Sequence, residues 1–596
     1  MEPAVRRPRY LNVRKVFPAR NYIRVATTER DPGLGDTLTS RLDGQVVFVL
    51  HSHLPWVLGH GRWPHGEDWL FEAAAECYLP LLRMLDRFEA DGCQVRLTIG
   101  ITPILAEMLA AARFREGFVA YLEERKSLAE RDRNDFEAAG DAHFAHLAET
   151  WARFYAESLE AFASTYGRDL LAAFRRHQEG RRVEILGSAA THGYLPLLGR
   201  DASIQAQIRA GTSSYRRHFG RDSRGFWLPE CAYRPGGEWS RPVGPPRAWS
   251  RPGIEEFLAS AGLQYFFVDT HLVAGGAPLG TYDDRFDERR LDASGPASGL
   301  SPNDVHEIST RSRRRIAVFA RDPRSGVQVW SADYGYPGDG AYLEFHRKRG
   351  KGGLRYWRIT DRRLPLEAKI PYDPESAAQR AVAHAEHFAA TVRETLREHR
   401  ERNGRAGVVV APFDTELFGH WWFEGPGWLE AVLRDLDRDR LTATPSECLE
   451  RIPPRRVVRL PEGSWGQGGH HWVWMNDDTK WVWGHVYAAE DEFQRMLETF
   501  RASREPDVAR VMRQLARELL LLEASDWPFL ITTASARDYA EGRVRLQVET
   551  FRELIAMAAR AEAGNLTETD RRRLAEIEAR DSPFPDVNLD WWAEER

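Results

Sequence analysis

The sequence predicts an α/β barrel followed by a large helical region. Three observations carry that reading. Short apolar runs alternate with helical periodicity between about residues 45 and 415, the pattern of parallel strands joined by helices. Nearly all of those runs end in a polar or aromatic residue, and barrels gather their chemistry at the carboxyl ends of their strands. Beyond Tyr487 the periodicity is mainly helical as far as Arg580.

Taken in order, residues 1–44 carry scattered arginines and no apolar core, so they read as a flexible leader and not a secretory signal. Gln45–Leu50 is the first strand, and it runs into His51-Ser52-His53-Leu54-Pro55-Trp56. His51 and His53 are two residues apart on an extended segment, so they face one side; a pair of satisfied core histidines is the plain alternative. Trp63 and Trp69 follow, and fit either a cover over the barrel rim or a sugar-stacking surface. Glu72–Phe88 has helical spacing, Val95–Gly100 is the second strand, and 110–180 is charged, helical and free of strand patterns. That stretch is too long for one crossover and predicts an inserted helical subdomain. Arg182–Gly187 is the third strand, with His192 just beyond its end.

Gly225-Phe226-Trp227-Leu228-Pro229-Glu230 is the fourth strand, breaking at a proline and delivering a carboxylate at once. Gln264–Asp269 is the fifth. Residues 273–314 are rich in Gly, Pro, Ser, Asp and Arg, and a loop of that length is usually functional or disordered. Arg315–Ala320 and Val327–Trp330 are two further apolar runs, and a helix spans Ala377–His399. Gly407–Ala411 is the last strand, and Pro412-Phe413-Asp414 repeats the grammar of proline then carboxylate. Two strands ending this way suggest a pair of acids facing one pocket, the machinery of glycoside hydrolysis and transfer. The expected domains are the barrel over 45–424, a C-terminal helical domain over 425–580 that completes the cleft, and a tail over 581–596.

The 596 residues are 42% hydrophobic and 29% charged, an ordinary globular composition. The formal net charge of −5 argues against a nucleic-acid binder. No apolar run is long enough to span a membrane. Four cysteines without a CxxC pair fit a reducing, cytoplasmic setting. The 20 tryptophans are many, and indole faces suit sugar rings.

These residues resemble glycoside hydrolase family 57, and within it the α-1,4-glucan branching members. The resemblance rests on five segments in order. They are His51-Ser52-His53-Leu54-Pro55; Glu184-Ile185-Leu186-Gly187-Ser188 with His192; Trp227-Leu228-Pro229-Glu230; Phe413-Asp414-Thr415-Glu416; and the late tryptophans Trp465 and Trp474. It covers about Gln45 to Tyr539. It implies a (β/α)7 barrel, no cofactor and no metal. Glu230 would be the nucleophile and Asp414 the acid/base of a retaining transfer that makes α-1,6 branches on an α-1,4-glucan such as amylose or glycogen. His51, His53 and His192 would bind sugar hydroxyls, and Trp63, Trp69, Trp330, Trp465 and Trp474 would stack rings. Asp526 and Trp527 either reach the same cleft or form a helix-capping turn. A loop tyrosine that favours transfer over hydrolysis is expected within 273–314, where Tyr282 is the only tyrosine between Tyr265 and Tyr334. Three other readings stay open: an α-amylase or 4-α-glucanotransferase on the same scaffold, a metal-dependent hydrolase using His51, His53, His192 and Asp269, and a non-catalytic glucan binder.

Overall fold

Alternation along the first strand shows how the barrel is packed. β1 (Gly44–Ser52) is buried throughout. Val47 and Val49 join one apolar cluster, while Val46, Phe48 and Leu50 join a second, larger one. Successive side chains of a strand point to opposite faces. The first cluster is therefore the barrel interior, and the second is the layer beneath the surrounding helices. The structure is a computed structural model and describes residues 43–593 apart from 246, 275–299, 313, 332–333, 351–352 and 455.

The other strands are β2 (Leu97–Ile101), β3 (Val183–Ser188), β4 (Gly225–Trp227), β5 (Gly237–Ser240), β6 (Ala248–Arg251), β7 (Tyr265–Val268), β8 (His306–Ser309), β9 (Arg315–Ala320) and β10 (Gly407–Asp414). Seven run parallel in the order β10-β1-β2-β3-β4-β7-β9, which makes a (β/α)7 barrel. β8 lies antiparallel on β9, and β5–β6 is a separate hairpin. The seam between β9 and β10 is closed by single bonds: Asp322 N–H donates to Val410 O and Val408 N–H donates to Asn303 O, each at 2.8 Å.

Helices Ala112–Ala138 and Ala142–Glu160 pair with each other within the expected insertion. The C-terminal region is built from Lys480–Phe500, Pro506–Leu522, Asp526–Thr533, Arg537–Glu562 and Glu568–Arg580.

Several expectations need correction. Val327–Trp330 is the end of a helix, Pro323–Trp330, and not a strand. The Asp322 carboxylate accepts from Ser325 N–H and Pro323 sits in the first turn, so start signals for a helix override the alternating Val-Gln-Val-Trp pattern. The described part of 273–314 contains β8, which pairs with β9 over four residues. The barrel does not end near 425. Helix Gly425–Asp437 packs on the barrel helices Leu79–Ala90 and Pro374–Asn403, and Val46 exchanges backbone bonds with Leu441 and Ala443. Ala443 and Cys448 also belong to the interior cluster. Residues 581–593 are no loose tail: Phe584 and Trp592 are buried, and Trp592 packs edge-on against Phe493. Of the expected leader, only Asp43 and Gly44 fall among the described residues, and Gly44 already belongs to β1.

Candidate active site

The inward parity of the strands carries directly into the polar groups at their carboxyl ends. Val47 and Val49 lead to His51 and His53. Val408 and Val410 lead to Asp414, Phe267 to Asp269, and Phe319 to Arg321. The β1–β10 register sets His51 opposite Asp414. These side chains converge on one bowl because each extends the interior face of its own strand.

Glu230 arrives differently. It lies in the short turn Pro229–Cys231 after β4, with φ 60° and ψ 24°. Cys231 (φ 49°) and His192 (φ 58°) share the left-handed region. Such conformations cost of order 1–3 kcal/mol each outside glycine and gather at working sites. Neighbouring backbone holds the turn: Trp465 N–H donates to Glu230 O at 3.0 Å, and Tyr233 and Gly463 exchange bonds at 2.8 and 3.0 Å. The indole Nε1–H of Trp465 then donates to Glu230 Oε2 at 2.6 Å.

The histidines form a chain. His51 Nε2 lies 3.0 Å from His192 Nε2, and His192 Nδ1 lies 2.8 Å from Ser525 Oγ and 3.9 Å from Glu230 Oε1. His53 Nε2 faces the Asp526 carboxylate at 3.0 Å, and its Nδ1 faces Thr102 Oγ1 at 3.1 Å. The rings of His53 and His192 stack at 3.9 Å, and His51 stacks on Trp227 at 4.8 Å. Burial holds His51 and His192 well below the ordinary histidine range, so both are neutral. His51 Nδ1 has no partner among the described residues. A bare buried lone pair is cheaper than a bare buried N–H. We therefore assign His51 as the Nε2–H donor, which leaves His192 with its proton on Nδ1, directed at Ser525 and Glu230.

The acids are displaced the other way. Burial pushes Glu230 up to about 8, opposed by the Trp465 bond and reinforced by the nearby charges of Asp414 and Asp526. Asp414 is pushed up to about 7 by burial, against the pull of His53 and Arg321. Glu230 keeps 15% of its side chain exposed, so the bowl is reachable although crowded. Glu416 is also pushed up to about 8 by burial, with Tyr78 O–H donating to it at 2.6 Å. Asp269, by contrast, is lowered to about 2: the Arg321 guanidinium grips it with two bonds of 2.9 Å, which outweigh its burial.

The predicted residues thus separate into three groups. His51, His53, His192, Glu230, Asp414, Trp465 and Asp526 form the bowl, and Trp330 stands beside it with its ring 6.3 Å from that of Trp465. Trp63 stands on the loop after β1, and Trp69 in the short helix Glu67–Ala73 that follows it. Trp63 is 58% exposed, and Trp69 packs edge-on against Tyr539. Trp474 and Trp527 cannot stack sugars, because both are fully buried. Trp474 lies on Tyr194, and Trp527 donates to Leu521 O with the Arg543 guanidinium over its ring. Tyr282 lies outside the described residues. The zinc reading loses a ligand: Asp269 is committed to a cation, Arg321.

Sequence reasoning missed Arg321, Thr102, Ser525 and Glu416. Arg321 was discoverable, since it stands two residues after Phe319 on the inward face of β9. Ser525 had no local signal, because its role depends on the docking of a distant helix.

A parallel barrel with two proton-hungry acids at its strand ends defines an enzyme that works by acid and base. Comparison with known proteins makes this specific. Residues 47–461 match the family described as glycosyl hydrolase family 57, and 485–592 match the C-terminal region of 1,4-alpha-glucan branching enzymes. A 1,4-alpha-glucan branching enzyme of Thermococcus kodakarensis is 43% identical over 548 residues, covering 92% of this chain and 78% of the relative. The crystal structure of a branching enzyme of this type from Pyrococcus horikoshii superposes with a TM-score of 0.84 at 39% identity, over 93% of this chain and 98% of that one. An α-amylase from Thermotoga maritima gives 0.76 at 30% identity, over 93% and 99%. The chain belongs to glycosyl hydrolase family 57. No helix among the described residues is long and apolar enough to cross a membrane.

Proposed function

We propose that this protein is a 1,4-α-glucan branching enzyme. It cleaves an α-1,4-glucan with retention and passes the released chain to a 6-hydroxyl. The observation that carries the chemistry is the pair Glu230 and Asp414, both at strand ends and both raised by burial, with the Asp414 charge adding to the rise at Glu230. The match of the C-terminal region to branching enzymes favours transfer over hydrolysis.

Glu230 is the proposed nucleophile and Asp414 the proposed acid/base. With both acids raised, the empty site holds protons near neutrality. Taken separately, Glu230 at about 8 would keep its proton longer than Asp414 at about 7, the reverse of what retention needs. Substrate reorders them. The glycosidic oxygen accepts a hydrogen bond from a protonated Asp414, and the electron-poor anomeric carbon favours an ionised Glu230. The Trp465 N–H already favours that carboxylate form. Attack by Glu230 then forms the glycosyl-enzyme as Asp414 gives its proton to the leaving 4-oxygen. Asp414 next takes the proton of the incoming 6-hydroxyl, whose oxygen displaces Glu230. His192 Nδ1–H and the Asp526–His53 pair fix the polar wall beside the reacting sugar.

Water competes for the same intermediate at about 55 M, so transfer depends on a held acceptor; good positioning reaches effective molarities of roughly 10⁵ M or more. Trp330 and the half-buried Trp465 are the aromatic surfaces placed to hold it. The proposed setting is the cytoplasm, in keeping with four free cysteines. The likeness to an α-amylase keeps hydrolysis as the second reading. Incubation with amylose separates them. Isoamylase-sensitive linkages should appear faster than new reducing ends, and release of reducing ends without such linkages would replace branching by amylase activity.

A further inference from the structure

We propose that a groove beside the hairpin β5–β6 is a second binding site for linear α-1,4-glucan, apart from the bowl of acids. The proposal rests on the reading of the protein as a glucan enzyme. The groove encloses about 1210 Å³, above the roughly 300–1,000 Å³ of a small-molecule site. It therefore has room for several sugar units.

Its wall is built around Trp249. Trp239 and Trp249 are register partners across the hairpin, and their rings meet edge-on at 5.1 Å. The Arg251 guanidinium lies 4.5 Å from one ring and 5.8 Å from the other. Arg251 is itself locked by Asp201 and Leu198 O, each at 2.7 Å. Trp239 is buried, whereas Trp249 is half-buried and lines the groove. The indole is thus held rigid with part of its surface available, and such a platform loses little entropy when a ligand stacks on it. The facing wall comes from helix Lys480–Phe500. There Arg241 lies over the Tyr487 ring at 5.0 Å and grips Asp491 with two bonds of 2.7 Å.

The surfaces of the groove point to its occupant. Arg200, Arg241, Arg247 and Arg311 line the groove with Asp201, Glu256 and Asp491, and Asp201 is held by Arg251 behind the indoles. Asp491 is already bound by Arg200 and Arg241. A neutral polyhydroxyl chain finds an indole for its apolar ring faces and fixed planar groups for its hydroxyls. The substrate proposed above is such a chain. β5 begins at Gly237, seven residues after Glu230, so it lies within about 24 Å of the nucleophile even along a fully extended chain. A polymer held in the groove raises its own local concentration at the acids.

The test uses the full-length protein and its Glu230→Gln form. Maltoheptaose titrated into Glu230→Gln should fill two sites, and adding Trp249→Ala should remove one. In the active protein, Trp249→Ala should raise the KM for amylose at least about fivefold while kcat stays within about twofold. Retardation of the protein in amylopectin gels should fall in parallel. Ala488→Arg provides a variant that leaves the hairpin intact, because Ala488 is an exposed helical residue lining the opposite wall. It should reproduce both losses. Normal branching together with unchanged KM and retardation in both variants overturns the groove and leaves the function standing. A wild type that neither binds glucan nor changes amylose overturns the function, and the groove with it.

Discussion

Asp414 and Glu230 enter the same bowl by opposite routes. Asp414 is the last residue of β10 and keeps a ladder partner, His51. The sheet alone places it. Glu230 sits beyond the three residues of β4, in a left-handed turn that only neighbouring contacts hold. Those contacts come from the 463–465 segment, more than two hundred residues further along the chain. One acid is fixed by local register, the other by a remote loop. The acid meant to move least carries the strain, and its support can be cut without touching the sheet.

The sharpest test separates the two roles. Glu230→Gln should lower kcat by more than about 10⁴-fold, the order seen when an enzyme loses its nucleophile. Asp414→Asn should cost about 10²–10⁴-fold, the range of general acid–base catalysis. Azide distinguishes them beyond magnitude. With an activated α-glucosyl donor, Glu230→Ala should yield the β-azide, because azide attacks from the vacated face. Asp414→Ala should yield the α-azide through the covalent intermediate. The reverse pairing would exchange the assignments.

Trp465→Phe cuts the remote support and keeps a ring. Losing a hydrogen bond to a charged group costs about 1.5–3 kcal/mol, or roughly 10–100-fold in kcat. Because the indole N–H lowers the Glu230 pKa, its removal should move the alkaline limb of the kcat/KM profile, the one near the Glu230 value of about 8, to higher pH. In the wild type that profile should fall below about pH 7 and above about pH 8, the values of Asp414 and Glu230. An unmoved alkaline limb in Trp465→Phe would show that the bond does not set the Glu230 charge.

The raised acids also weaken the fold at high pH. A carboxyl whose folded pKa exceeds its unfolded value contributes stability fully present below the unfolded pKa, near 4.5 for Glu230, and lost as pH rises through about 8. Glu230→Gln escapes that loss. Its melting temperature should exceed the wild type by a few degrees at pH 8.5 and match it at pH 4, as thermal scans would show. Equal curves at both pH values would mean that burial does not hold the proton. Trp474→Ala should have the smallest effect on activity. It should cost about 3–5 kcal/mol of stability as a core truncation while KM stays near the wild-type value. A large KM change with full stability would return Trp474 to the cleft.

The contrast between the acids also explains what the sequence could tell. Asp414 was legible because the continuous apolar run Val408–Ala411, the parity of a strand and the proline before the acid are all local. His51 and His53 were legible by the same parity. Glu230 was visible as a carboxylate after a strand, but nothing local announced its left-handed backbone or its partner. Among tryptophans the signal failed for a physical reason. Trp465 and Trp474 lie in one aromatic patch, yet one reaches Glu230 and the other packs on Tyr194. Composition reports that indoles are present and not which of them docking will bury. The β5–β6 hairpin went unread although Glu-Trp-Ser and Ala-Trp-Ser flank a Pro- and Gly-rich turn, a pattern that points to paired strands.

The tie between the barrel and Ser525 sets an order in time. Ser525 N–H donates to His192 O at 3.2 Å, its hydroxyl meets the same imidazole, and Asp526 engages His53. During synthesis, 112 residues separate Asp414 from Asp526. At about 5–20 residues per second, the ribosome takes roughly 6–22 s to supply the second after the first. Throughout that interval both acids exist in the nascent chain without the polar wall that orients the sugar. With Ser525 and Asp526 supplied this late, the proposed site is complete only once the helical domain has docked on the barrel.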